Sequence, residues 1–194
     1  VLIETGYIQS VLMANLQEYP KFLVGILENS DRGLVKEACC RRIIKFFGKS
    51  RKDEGGDEGD AGKIEFITLV DPLTSIITRS KENGARLTAL SVMSIVNMCT
   101  FSEDIKDIFL QRNGIAIIND LMDSTNEDIL MNALRLIMTL IASKKGETNM
   151  IGRQLAEDSD NKIIKRLIAL IKQGPDINYC QFSKQVLFMS ISLL

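Results

Sequence analysis

A chain of 194 residues with 45% hydrophobic and 25% charged side chains carries enough apolar material for a core of its own. Its formal net charge of −1 gives a field too weak to draw it as a whole onto nucleic acid or an anionic membrane. No histidine is present, which removes the usual general base, the commonest metal ligand and the usual partner of a Ser or Cys nucleophile, so neither catalysis nor a cofactor nor a metal is expected.

The apolar residues recur at spacings of three and four along the chain, and strict alternation over a strand length is absent, so helix is expected throughout. A first helical unit is read over about residues 8–48, with Leu23, Leu27, Leu34 and Ala38 on its inner faces. It ends in GKSRKDEGGDEGDAG, residues 48–62, whose five glycines and many charges predict a surface insertion. A second unit follows over about 63–100. Its clearest helix runs from Ala85 to Cys99, where Leu87, Leu90, Met93 and Val96 share one face and Val92, Ile95 and Cys99 widen it. A third unit spans about 102–143. The fourth, over about 145–194, repeats the pattern more loosely through Leu167, Ile171, the turn Gln173-Gly174-Pro175-Asp176, Val186 and Met189.

These units are one pattern repeated. A shift of about 44 residues lays Leu73, Ile77, Ala89 and Leu90 onto Ile117, Leu121, Ala133 and Leu134, and the polar turn Arg79 to Gly84 onto Asp123 to Asp128. A helical pair cannot bury its apolar faces alone, so stacked units are expected to share one elongated core. The chain starts at Val1 and stops within an apolar pattern at Leu193 and Leu194, so it reads as one domain cut from a longer protein. The last helix is then open to further repeats or to a second copy. Cys39, Cys40, Cys99 and Cys180 sit in apolar surroundings without metal or redox spacing, which predicts buried packing thiols and an intracellular, reducing location. No apolar run approaches the roughly 18 residues that a membrane span needs.

The period lies in the armadillo and HEAT range, and residues 102–143 resemble an armadillo repeat in particular. Glu103–Arg112 matches its short first helix, Asn113-Gly114-Ile115-Ala116 its glycine turn, Ile117–Met122 its second helix and Asp128–Ala142 its third. The corresponding turns in the first two units hold Tyr19-Pro20 and Val70-Asp71-Pro72. The resemblance implies a right-handed α-solenoid of about four repeats that binds a peptide, helix or folded protein along a concave groove lined by third helices. It places Arg41, Lys45, Met93, Asn97, Arg135 and Met138 in that groove. In the nuclear-import branch of the family a Trp and an Asn recur along the groove. Here Asn97 matches, Met93 stands at the Trp position, Lys45 and Ile141 replace Asn in the flanking units, and the chain has no Trp. The alternative implied by the same resemblance is the armadillo-like regulatory region of diaphanous-type formins, cytoskeletal proteins in which it receives a small GTPase and an autoinhibitory helix.

Other motifs dissolve on inspection. Gly48-Lys49-Ser50 resembles the end of a phosphate-binding loop, but Ile43 stands where the first glycine is required. A calcium loop counted from Asp53 puts Glu58 at the turn glycine and Ile64 at the bidentate acid. Seven of the eight methionines, Met93, Met98, Met122, Met131, Met138, Met150 and Met189, lie in or beside helices and read as core filler. One charge pattern invites a function: Arg41 and Lys45, one turn apart, precede the acids Asp53, Glu54, Asp57, Glu58 and Asp60, so the helix suits an acidic partner for which that loop would compete.

Overall fold

A computed structural model describes residues 19–49, 66–142 and 162–173, and every element among the described residues is helical. The helices are α1 (Tyr19–Asn29), α2 (Gly33–Lys49), α3 (Val70–Thr78), α4 (Ser80–Asn83), α5 (Ala85–Phe101), α6 (Glu103–Gln111), α7 (Gly114–Met122), α8 (Glu127–Ile141) and α9 (Lys162–Gln173). None among the described residues is long and apolar enough to cross a membrane. The chain divides into two compact units, Val1–Arg112 and Asn113–Leu194, so the boundary falls inside the third predicted repeat.

In the first unit, Pro20 and Pro72 stand in the opening turns of α1 and α3. Their fixed φ suits a helix start, and no helical hydrogen bond is lost there. A single 3-10 turn, Ile67–Leu69, leads directly into α3. Helix α1 packs on both α2 and α3, while α5 packs against α2, α3 and α6. Helix α5 is therefore enclosed on most sides, and ten of its residues, from Leu87 to Cys99, are buried.

The α2–α5 seam runs in parallel. Glu37 meets Arg86, Cys40 meets Ser91 and Ser94, and Ile44 meets Asn97, so contacts advance along both helices together. Small side chains make this close approach possible. The hydroxyls of Ser91 and Ser94 each bond a carbonyl four residues back on α5, at 2.9 Å, so the seam is tight without buried hydroxyls losing their partners.

At the C-terminal end of the seam lies an aromatic cluster. Phe46 and Phe47 of α2 meet Phe66 at centroid distances of 4.8 and 5.1 Å, Phe47 meets Phe101 of α5 at 5.2 Å, and Phe46 meets Tyr19 of α1 at 6.3 Å. The rings tie α1, α2, α5 and the approach to α3 together, with Phe47 before the predicted insertion and Phe66 after it. Helix α2 runs through Lys49, so it includes the first two residues of the predicted insertion. The rest of 48–62 lies outside the described residues, as do Cys180, Met150, Met189 and the predicted turn from Gly174 to Asp176.

In the second unit, α7 packs against α8 and α9. Asn126 caps α8 by accepting from the Ile129 N–H at 3.1 Å, and Glu127 and Asp128 occupy its first turn, where the helix dipole favours acids. Arg166 of α9 donates from Nε to the Met122 carbonyl at 2.9 Å, satisfying an orphan acceptor at the end of α7. Gly114 was expected to supply the special backbone angles of the turn before α7. The left-handed residue is instead Asn113, at φ 60 and ψ 34, and Gly114 is the buried first residue of the helix. Asn enters that region at small cost, so the Asn-Gly pair places the turn one residue earlier. The one glycine with positive φ among the described residues is Gly84, between α4 and α5, at φ 78.

Phe66 is 6% exposed within the aromatic cluster and Phe22 is 45% exposed on α1. Phe66→Ala is expected to cost about 3–5 kcal/mol of unfolding free energy. Phe22→Ala, whose ring is already half in water, is expected to stay within about 1 kcal/mol, both read from urea denaturation at constant m-value.

Candidate interaction surface

The predicted groove residues divide between the two units. Arg41 and Lys45 lie on α2 and Met93 and Asn97 on α5, in the first unit. Arg135 and Met138, three residues apart on one face of α8, belong to the second.

Within the first unit the parallel register brings four of them into one surface. Residues Arg86, Leu90, Met93 and Asn97 form a stripe along α5, spaced at three and four, that is exposed at Arg86 and half-buried at the other three. Glu37, Arg41 and Lys45 form the neighbouring stripe on α2, half-buried at Glu37 and exposed at the two bases. The side chains behind the α5 stripe, Ser91, Val92, Ser94 and Ile95, are buried.

Asn97 is built into the seam. Its Nδ2 donates to the Ile44 carbonyl at 3.3 Å, which engages one of its two N–H groups and ties α5 to α2. Met93, one turn earlier, lies level with Arg41 in that register. Glu37 bridges the helices, its Oε2 lying 3.1 Å from Arg86 Nε and 3.6 Å from Arg41 Nη2. The carboxylate is 14% exposed while the two Arg side chains are 69% and 54% exposed, so one sheltered acid positions two solvent-facing guanidiniums. Arg42, adjacent in sequence, falls on a different face of the helix; burial pushes the Tyr19 phenol of α1 up, and the Arg42 charge opposes that rise in part.

On α8, Arg135 is half-buried and donates from Nη1 to Asn132 Oδ1 at 3.5 Å, and Met138 is 37% exposed. Of the other methionines, Met98, Met122 and Met131 are buried as core. Sequence reasoning missed Glu37 and Arg86. Their pairing depends on which helix lies beside which, and spacing along the chain does not reveal that; the small-residue pair Ser91 and Ser94 on an apolar helix was the available signal for a close neighbour.

The cysteines are packing groups. Cys39 Sγ donates to the Leu23 carbonyl at 3.7 Å, Cys40 Sγ lies 3.6 Å from Ser91 Oγ, and Cys39, Cys40 and Cys99 are fully buried free thiols. Burial pushes the Cys40 thiol up to about 11 and Cys99 up to about 12, and raises Cys39 as well; near Cys99 the Lys106 ammonium opposes the effect and the Glu103 carboxylate adds to it. Lys106, only 3% exposed, is held by Glu103 Oε1 at 2.9 Å. No group of three or more Cys, Asp or Glu side chains is placed to hold a metal among the described residues.

Compared with protein-family models the chain matches none, and no curated protein sequence matches it.

The raised thiols have a definite sign. An unfolded chain releases these protons near the ordinary value of 9.0 while the folded chain keeps them, so the stability they contribute is complete below pH 9 and falls as pH rises toward about 11–12. The melting temperature is expected to decline over that window, and iodoacetamide at pH 8 is expected to leave Cys39, Cys40 and Cys99 unmodified in the folded chain and to alkylate all three in urea, as read by peptide mass spectrometry.

Proposed function

We propose that this chain is a non-enzymatic protein-interaction module, a right-handed solenoid of about four armadillo-like repeats that receives a peptide, helix or folded partner on its third helices. The observation that carries the reading is the parallel α2–α5 seam. Equivalent helices of successive repeats stack in this way, and the contacts that join them, Glu37–Arg86 to Cys40–Ser94, are 49 to 54 residues apart, about one repeat plus part of an insertion. The run of short helix, short helix and long helix over α6, α7 and α8 also supports it. On the first unit a partner would meet the outward stripes of α2 and α5; the second unit, taken by itself, offers the Arg135 and Met138 face of α8. A surface carried on packed helices loses little entropy on binding, so affinity follows from side-chain complementarity. Buried free thiols support an intracellular setting, where they stay reduced.

The test is a comparison of capture from source-cell extract by the wild-type chain, by Met93→Glu and by Thr78→Glu, an exposed position on α3, with folding checked by circular dichroism. Specific partners retained by the wild type and Thr78→Glu are expected to fall at least tenfold with Met93→Glu, an acid set in the middle of the surface. An identical partner set for all three proteins would overturn the reading.

A further inference from the structure

Resting on that reading, we infer that the α2–α5 surface takes an acidic segment of its partner, one whose carboxylates are spaced about a helical turn apart and flank an apolar side chain. Among the described residues, the two outward stripes carry three exposed cations, Arg86, Arg41 and Lys45, and one acid, Glu37. Glu37 is sheltered at 14% exposure and already engaged by both guanidiniums, so it is spent on positioning them. Each guanidinium has further N–H donors beyond the one facing Glu37, and a carboxylate can take these in pairs. Their orientation is set before any partner arrives, which lowers the entropy cost of the contact.

The spacing defines the ligand. Arg41 and Lys45 are four residues apart on α2, about 6 Å along the axis. Two acids at i and i+4 on a partner helix, or two residues apart on an extended strand, match that interval. Met93, half-buried and level with Arg41 in the register set by the Cys40–Ser94 and Ile44–Asn97 contacts, offers a soft and adaptable thioether as the apolar contact between the charges. Arg42, one residue further on, lies about 100° around the helix from Arg41 and off this stripe. Arg79 and Lys81 are also exposed cations, but they lie at the α3–α4 turn and not on this surface, which makes them a charge-matched control.

The experiment uses three fluorescent 16-residue peptides with one shared leucine pattern and Glu, Gln or Lys at the flanking positions, titrated at low and high salt by fluorescence anisotropy. The Glu peptide is expected to bind the whole chain at least tenfold more tightly than the Gln or Lys peptide, and to lose affinity with salt. Arg41→Glu/Lys45→Glu is expected to weaken it at least tenfold, and Arg79→Glu/Lys81→Glu by less than twofold. Equal weakening by both double variants, or no binding of the Glu peptide at low salt, would overturn the inference. Were the Gln and Lys peptides bound as tightly as the Glu peptide, and lost with Met93→Glu, the interaction surface would stand and its acidic preference would fall. Peptide binding untouched by Met93→Glu would remove the surface and the inference together.

Discussion

Close parallel contact between α2 and α5 is the constraint from which the first unit follows. Two helices approach closely only if side chains at the contact are small, and small polar side chains are tolerable there only if their hydroxyls are satisfied. Ser91 and Ser94 meet both conditions, each bonding the carbonyl four residues behind it. Ser94 Oγ also lies 3.3 Å from the Cys40 carbonyl and Asn97 Nδ2 3.3 Å from that of Ile44, so the polar groups in the seam bind the neighbouring helix as well. The aromatic cluster then closes the C-terminal end of the seam, and the Glu37 bridge spans it near the N-terminal end. With the register fixed at both ends, the outward residues of α2 and α5 have fixed neighbours, and the surface on which binding is proposed exists before any partner binds.

The second unit solves its local problems by other means. Two of its helix ends are closed by side chains: Asn126 accepts from the Ile129 amide in the first turn of α8, and Arg166 reaches from α9 to the Met122 carbonyl at the end of α7. Ser124 Oγ accepts from the Asn126 N–H at 3.1 Å, which shapes the turn before the cap. The matching turn of the first unit is built differently. Residues that align with Ser124 to Glu127 form the extra helical turn α4, ended by Gly84 at positive φ, and Asn83 returns its Nδ2 to the Ile76 carbonyl at 3.1 Å. Sequence units related by one period share an apolar pattern and differ in how their chain reversals are capped.

Much of this was legible in the sequence. Apolar spacing located α5 to within two residues, because burial on one face leaves a periodic trace, and the resemblance to an armadillo repeat located all three helices of residues 103–141 to within three. The buried role of Cys39, Cys40 and Cys99 followed from their apolar neighbours. What escaped was lateral: the Glu37–Arg86 bridge, the Asn97 bond to Ile44 and the aromatic cluster all join residues distant in the chain, and single-helix periodicity carries no record of partners. Asn113 escaped for another reason. Either residue of an Asn-Gly pair can adopt the left-handed region, so composition marks the turn without saying which of the two bends it. Of the predicted groove residues, Arg41, Lys45, Met93 and Asn97 are adjacent because the seam is parallel, a property of packing and not of spacing.

Electron–electron resonance distances between spin labels on α2 and α5 test that packing most directly. A label at the exposed Lys45 is paired with one at Thr100 or one at Ala85, both exposed and near opposite ends of α5. The two positions are fifteen residues apart, roughly 22 Å along the helix at about 1.5 Å per residue. Parallel packing predicts a Lys45–Thr100 distance clearly shorter than Lys45–Ala85. The reverse order, or equal distances, would contradict the seam and with it the surface on which the functional reading rests.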